Sequence, residues 1–439
     1  MIATRTPVTT LTVETTFTDE TIRLLPLADP RQPLVWARGD DAFVGVGCAL
    51  RLEFTGPDRM LDAGRAWAEV AHAATINDEV GLPGSGLIAF GSFTFSALSG
   101  VTSVLIVPHV VYARRGDRQW VTRIRATGDG SIEDATRDGA AAEPELQAAE
   151  GAVTASRIAS AGIPDPSWAP VTFRSGVMTE RMFSDTVRAA TRSIQRAAVE
   201  KVVIARDVVG ELSAAADLRH PLASLRSDYP DCWTFAVDGL MGASPETLVR
   251  VHRGAVDARV LAGTTARGAD ATADEEQARA LAASAKERDE HDFAVQSVLD
   301  ALRPHCADVT ASDTPFTLQL PNLWHLATDV QASLSDRSTS LDLIHALHPT
   351  AAVAGTPTPD AIRLIEELES FDRGRYAGPV GWVGADGDGE WAIALRCAQV
   401  DEAGQVRAYA GCGIVAGSND RRELAETAMK LRPIVDAFG

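Results

Sequence analysis

The chain has 439 residues, 45% of them hydrophobic, with a net charge of −19 and a pI near 4.9. Its length and apolar content allow one large core or several smaller ones, and its acidity argues against nucleic acid and anionic membrane as partners. It has no basic-then-apolar leader and no 18-residue apolar run, and its five cysteines lack CxxC spacing. These features point away from secretion, membrane spanning and zinc, and towards reduced thiols in the cytoplasm.

In chain order, the Thr-rich first 30 residues read as loosely held. Leu34–Phe54 reads as short strands and Leu61–Ile76 as an amphipathic helix. Gly86–Phe95, Ser103–Arg114 and Gln119–Ala126 alternate as a strand meander. From Gly128 the composition turns to Ala, Glu and Asp, so residues 128–169 are predicted to connect an N-terminal sheet-forming half (1–127) to a catalytic region (170–439). In that region Val171–Ser175 reads as a strand. Thr179 should cap a helix whose apolar face holds Met182, Phe183, Val187, Ala190, Ile194 and Ala197. Val202–Val209 and Cys232–Val237 are strands, and Leu248–His252 with Ala255–Ala262 forms a hairpin through Arg253-Gly254. Asp274 to about Leu302 is the longest predicted helix. Then come a strand over Trp324–Leu334 and helices over Ser340–Leu347 and Asp360–Phe371. Ala377–Ala385 and Trp391–Val400 pair through the turn Asp386-Gly-Asp-Gly389, and Gln405–Gly411 adds a further strand. Strands joined by short turns imply antiparallel sheets, so the class is α+β with helices packed outside. Leu87–Ser92 and Val104–Tyr112 also echo Val380–Ala385 and Ala392–Cys397, a faint internal repeat.

The chemistry concentrates in a few places. After Gly411, Gly413 and Gly417, any of Ser418, Asn419 and Asp420 can cap a last helix in which Glu423, Glu426 and Lys430 share one face. A second Glu-x-x-Glu pair, Glu287 and Glu290, lies in Lys286–His291. Two such pairs on separate helices suit Mg²⁺, which takes few carboxylates and keeps its waters, whereas Glu290-His291 is not a zinc motif and His291 reads as a packing residue. Lys201 stands at the mouth of an apolar strand, where a desolvated amine can act as a base. Glu246 follows a turn proline in Gly242-Ala-Ser-Pro-Glu, and Leu261–Gly268 is a polar, glycine-bounded loop. Gly411-Cys-Gly413 also imitates a dinucleotide fingerprint, but the parallel strand and acidic residue which that fold needs do not follow.

Together with Leu323–Thr328, His348-Pro-Thr350, Phe371-Asp-Arg373 and Ile393–Cys397, these motifs fall in one order over residues 170–439. In that order the chain resembles the chorismate-utilising enzymes, and among them the isochorismate synthases. The resemblance implies a large unit of stacked antiparallel sheets that binds chorismate and Mg²⁺. It implies metal positions at Glu290 and Glu426, supported by Glu287 and Glu423 through water. Carboxylate-binding positions are implied at Arg396, Lys430 and, in some relatives, Tyr376, with backbone N–H groups near Gly411 and Gly413. It further implies a ring pocket lined by Thr264 and His325, a base at Lys201 that activates water for attack at C2, and an acid at Glu246 that protonates the departing C4 hydroxyl. Nitrogen-installing relatives lack the lysine, and salicylate synthases place a bulkier hydroxyl residue where Ala351 and Ala352 are small here, so isochorismate is the expected product. A cytoplasmic monomer is expected.

Overall fold

Among the described residues, two sheets stacked face to face carry the fold, one of thirteen strands and one of ten, paired antiparallel almost throughout. The computed structural model describes residues 10–19, 21–127 and 168–439, with the side chains of Thr127, Lys286 and Glu290 outside that description. The predicted connector, residues 128–169, falls almost wholly outside the described residues.

The inner faces of the sheets interlock through large aromatic side chains. Trp36 and Phe43 project from the larger sheet, and Phe90 and Trp382 from the smaller, all but inaccessible to solvent. Phe43 meets Trp382 edge-on with ring centroids 5.5 Å apart. Each such ring removes roughly 150–250 Å² from water, on the order of 4–6 kcal/mol before conformational entropy is subtracted. The buried Glu390 carboxylate ties the layers together, accepting from the indole N–H groups of Trp36 (3.1 Å) and Trp382 (3.2 Å) and pairing with Arg115 (2.8 Å). Helices Arg59–Ala73 and Ser340–Leu347 pack beside the smaller sheet, and Glu180–Gln195, Arg219–Asp228 and Asp420–Phe438 beside the larger.

Two chain segments cross from one sheet to the other side by side. Leu240–Ser244 lies in the larger sheet and Thr247–His252 in the smaller, joined by Pro245-Glu246. Gly389–Ile393 lies in the smaller sheet and Cys397–Val400 in the larger, joined by Ala394–Arg396. The crossings are neighbours, since Gly242 pairs with Cys397 and Thr247 with Ala392. This seam positions the candidate site.

Several expectations are corrected. The N-terminal region is not loose where it is described: Thr10–Phe17 is a strand that alternately buries Leu11, Val13 and Thr15. The first helix ends at Ala73, and the β-branched Thr75-Ile76 begins a strand, Thr75–Asp78, that pairs with Thr10–Phe17 in parallel. The Gly86–Ala126 meander divides at Pro108, with Ser103–Val107 in one sheet and Val110–Arg115 in the other. Only Arg174–Ser175 of the Val171–Ser175 stretch is strand, and Met182 is 40% exposed rather than packed. The long helix is two, Ala271–Ala283 and Ala285–Leu302, because the Ser284 hydroxyl accepts from the Glu287 N–H and caps the second. The predicted Asp360–Phe371 helix runs over Thr358–Leu368. The Trp391–Val400 strand breaks where Arg396 takes φ 49°. Helix Arg219–Asp228 and strands Cys306–Ala311 and Phe316–Gln319 were not predicted.

Candidate active site

The strand Lys201–Glu211 forms one wall. Its β-branched run is buried along nearly its whole length, and it pairs with Gln405–Ile414 so that Val203 faces Gly413 and Ala205 faces Gly411. A Cβ at Gly411 would sit 3.2 Å from the Tyr376 hydroxyl and 3.1 Å from the Ile204 carbonyl, so only glycine lets these groups close in. Lys201 and Val203 line the cleft from this strand, with Lys201 itself 9% exposed.

Helix Asp420–Phe438 lies over the end of that strand pair. Its cap is Asn419, whose side chain accepts from the N–H groups of Arg421 and Arg422, while Asp420 pairs with Arg188 instead. One turn apart on its inner face stand Glu423, Glu426 and Lys430, all lining the cleft. The Lys430 ammonium donates to the Gly411 carbonyl at 3.0 Å and pairs with Glu426 at 2.7 Å. Helix Ala285–Leu302 faces it. Buried His291 fixes this helix, its Nε2 lying 2.7 Å from the Thr328 hydroxyl and its Nδ1 3.2 Å from the Ala262 carbonyl, and one turn earlier Glu287 meets the cleft. A β-bulge at Gly263, with φ 78°, makes room for Glu287, since a Cβ there would lie 3.2 Å from its Oε2. Glu290 belongs to the same helix, and its side chain lies outside the described residues.

The sheet seam supplies a buried carboxyl and a buried guanidinium. The Ser244 hydroxyl donates to the Ile393 carbonyl at 2.6 Å and accepts from the Glu246 N–H, and the Glu246 carbonyl accepts from Ile393 N–H at 3.1 Å. Glu246 is thereby locked in place, 5% exposed. Burial pushes its carboxyl up to about 8 against the opposing pull of Lys201, Arg396 and Lys430, so it stays protonated at neutral pH. The buried Arg396 reaches His325, with Nη2 to Nε2 at 3.3 Å. Burial, then Arg396 and Lys430, hold the His325 imidazole well below its ordinary value, hence neutral. With Nε2 accepting from Arg396, the proton belongs on Nδ1, 3.2 Å from the Gly263 carbonyl and 3.0 Å from the Thr264 hydroxyl.

The cleft encloses about 1010 Å³ including its open mouth. It brings together Lys201, Glu246, Thr264, Glu287, His325, Ala352, Tyr376, Arg396, Gly411, Gly413, Glu423, Glu426 and Lys430, which is every predicted site residue whose side chain is described. Tyr409, stacked on Tyr376 with centroids 5.1 Å apart, also lines it, although the sequence marks it only as part of the Gln405–Gly411 strand. The scarcity of lysine in the sequence also points to the cleft. Only three of the 41 basic residues are lysines, Lys201, Lys286 and Lys430, and two of these face the cleft. Where arginine supplies nearly all positive charge, a lysine marks a position that wants an amine or a point charge.

Among the described residues, no three His, Cys, Asp or Glu side chains converge as a metal cage. Glu287, Glu423 and Glu426 instead offer oxygen donors from two facing helices across open room. That donor set fits Mg²⁺, which retains waters and takes one or two protein carboxylates, and does not fit zinc. No helix among the described residues is long and apolar enough to cross a membrane.

Comparison with known proteins gives a consistent picture. A family described as "Chorismate binding enzyme" matches residues 8–439. Isochorismate synthase EntC of Escherichia coli K12 is 36% identical over 271 residues, 61% of this chain and 69% of that protein. Isochorismate synthase DhbC of Bacillus subtilis is 43% identical over 201 residues, 46% of this chain, and the match spans only half of the DhbC chain. The solved structure of MenF, the menaquinone-specific isochorismate synthase of Escherichia coli, superposes with a TM-score of 0.77 at 23% identity over 98% of this chain and 95% of that one, a likeness of fold.

Proposed function

Since this chain belongs to the chorismate-binding enzyme family, we propose that it is an isochorismate synthase, which adds water at C2 of chorismate and expels the C4 hydroxyl as water. The observation that carries this reading is the pairing within one cleft of an amine, Lys201, with a buried carboxyl, Glu246, that keeps its proton up to about pH 8. The transposition needs both a group that takes a proton from attacking water and a group that gives one to a leaving hydroxyl. Lys201 is assigned as the base and Glu246 as the acid.

Chorismate carries two carboxylates, and a chain of net charge −19 needs local positive charge to hold them. Arg396 and Lys430 are assigned that task, with backbone N–H groups near Gly411 and Gly413. Tyr376 is placed beside the enolpyruvyl group, Thr264 and His325 beside the ring. Neutral His325 presses on Arg396 without competing for its anion. Mg²⁺ is assigned to Glu426 and Glu290, with Glu287 and Glu423 behind bound water, and when bound it supplies positive charge to the ring carboxylate. Lys430, already paired with Glu426, holds that carboxylate beside the cleft.

Small Ala352 places no hydroxyl at its own position in the pocket wall, which favours stopping at isochorismate over pyruvate elimination. Chromatography of purified enzyme with chorismate and Mg²⁺ tests the reading. Isochorismate is the expected product. Salicylate as the main product would make the chain a salicylate synthase, and anthranilate or aminodeoxychorismate formed with ammonia would also overturn the assignment.

A further inference from the structure

The Phe371-Asp-Arg373 motif has no part in the chemistry above, yet Arg373 and Glu369 form a fully buried ion pair, each side chain 2% exposed. The guanidinium donates to both Glu369 oxygens, Nε to Oε2 at 2.8 Å and Nη2 to Oε1 at 2.6 Å. Its remaining bonds go to backbone: Nη2 donates to the Val203 carbonyl at 2.8 Å and Nη1 to the Val353 carbonyl at 3.0 Å. Glu369 Oε1 also accepts from Ala205 N–H at 2.7 Å. The guanidinium lies 4.3 Å over the Phe95 ring and 6.0 Å from that of Tyr376.

These bonds fall where the sheet gives out. On its outer edge the Lys201 strand pairs with the two-residue strand Gly355–Thr356, at Lys201–Thr356 and Val202–Gly355, followed by one bond from Val203 N–H to the Ala354 carbonyl. Beyond that, among the described residues, no strand continues on this edge until Arg174–Ser175 pairs with Val209 and Val208. The carboxylate and guanidinium take the place of the missing strand, one accepting from Ala205 and the other donating to Val203. Three cleft walls thus meet on one ion pair: the strand that carries Lys201, the loop that carries Ala352 and Val353, and Tyr376. Stability alone does not call for such a pair, because apolar groups of the same volume serve as well or better.

We propose that Glu369 and Arg373 are positioning residues that fix the Lys201 strand against the opposite wall of the cleft, acting on the reaction through Lys201. The proposal rests on the reading of Lys201 as the base. The anion-binding groups Arg396 and Lys430 are anchored on the other side, through the seam and the Gly411 strand. Loosening the clamp therefore shifts the base, while Arg396 and Lys430 keep their own anchors.

A double-mutant cycle tests this, with kcat, KM and thermal melting measured for Arg373→Lys, Lys201→Ala and the double variant. In the parent background Arg373→Lys should lower kcat by about 10–10²-fold with KM within about threefold, the scale on which an ångström-level misplacement acts. In the Lys201→Ala background the same change should lower kcat by less than about threefold, since the group it positions is gone. Equal losses in both backgrounds, or a folded Arg373→Lys with parental kcat, would overturn the proposal alone. Parental kcat in Lys201→Ala would instead remove the base assignment and this proposal with it. Should Arg373→Lys fail to melt cooperatively, Glu369→Gln takes its place in the same cycle. Loss of fold in both would make the pair a folding requirement only and count against the proposal.

Discussion

Glu246 is the residue on which charge, burial and chemistry bear most heavily. Its carboxyl is raised from 4.5 to about 8 by burial, so the folded protein holds a proton that the unfolded chain releases. The stabilisation linked to that proton is complete below about pH 4.5 and is lost as pH rises towards about 8. At 1.36 kcal/mol per unit the effect is at most about 5 kcal/mol. The melting temperature of the metal-free, substrate-free enzyme should fall between pH 5 and 8, and Glu246→Gln should flatten that slope. A slope unchanged in the variant would show that Glu246 does not carry the proton. In activity, kcat/KM should decline above about pH 8 as the acid ionises. General acid and base groups each contribute on the order of 10²–10⁴-fold, so Lys201→Ala and Glu246→Gln should each lose about that factor in kcat. Chorismate affinity by calorimetry should change far less, because Arg396 and Lys430 remain. Loss of affinity rather than of kcat would mean that these residues bind and do not catalyse.

At the scale of elements, two helices bring carboxylates to the cleft, and each is held there by a small local device. Ala285–Leu302 starts at Ser284, is fixed by buried His291, and fits Glu287 against the Cβ-less Gly263. Asp420–Phe438 starts at Asn419 and is tied by Lys430 to the Gly411 carbonyl. Gly263→Ala adds a methyl 3.2 Å from the Glu287 carboxylate at φ 78°. It should raise the Mg²⁺ concentration for half-maximal rate by about tenfold, the scale on which supporting groups of a metal site act. An unchanged Mg²⁺ titration would remove Glu287 from the metal's surroundings. Glu426→Gln should nearly abolish turnover, with little rescue by excess Mg²⁺, and near-parental activity with EDTA present would contradict the metal assignment.

Across the whole molecule, local signals were legible where a residue's role is set by its near neighbours in sequence. Thr179 caps its helix as read, Arg253-Gly254 turns its hairpin at positive φ, and Ser340–Leu347 is a helix with those bounds. The candidates that line the cleft were legible because each sits in a short motif, although nothing in those motifs says that Glu246 and Arg396 are neighbours. That follows from two sheets exchanging strands at a shared seam, and a strand which changes sheets looks the same in sequence as one that continues. The Trp391–Val400 run misled for that reason, since the break comes from the backbone of Arg396 and not from a glycine or proline. The Glu369–Arg373 clamp was hidden too, because its partners, Val203 and Ala205, lie some 170 residues earlier. The central claim is that water attacks C2 while the C4 hydroxyl leaves, and running the reaction in ¹⁸O-enriched water with Mg²⁺ tests it most directly. The predicted result is isochorismate with one heavy oxygen, in the C2 hydroxyl. Unlabelled isochorismate, or a product without heavy oxygen on C2, would contradict it.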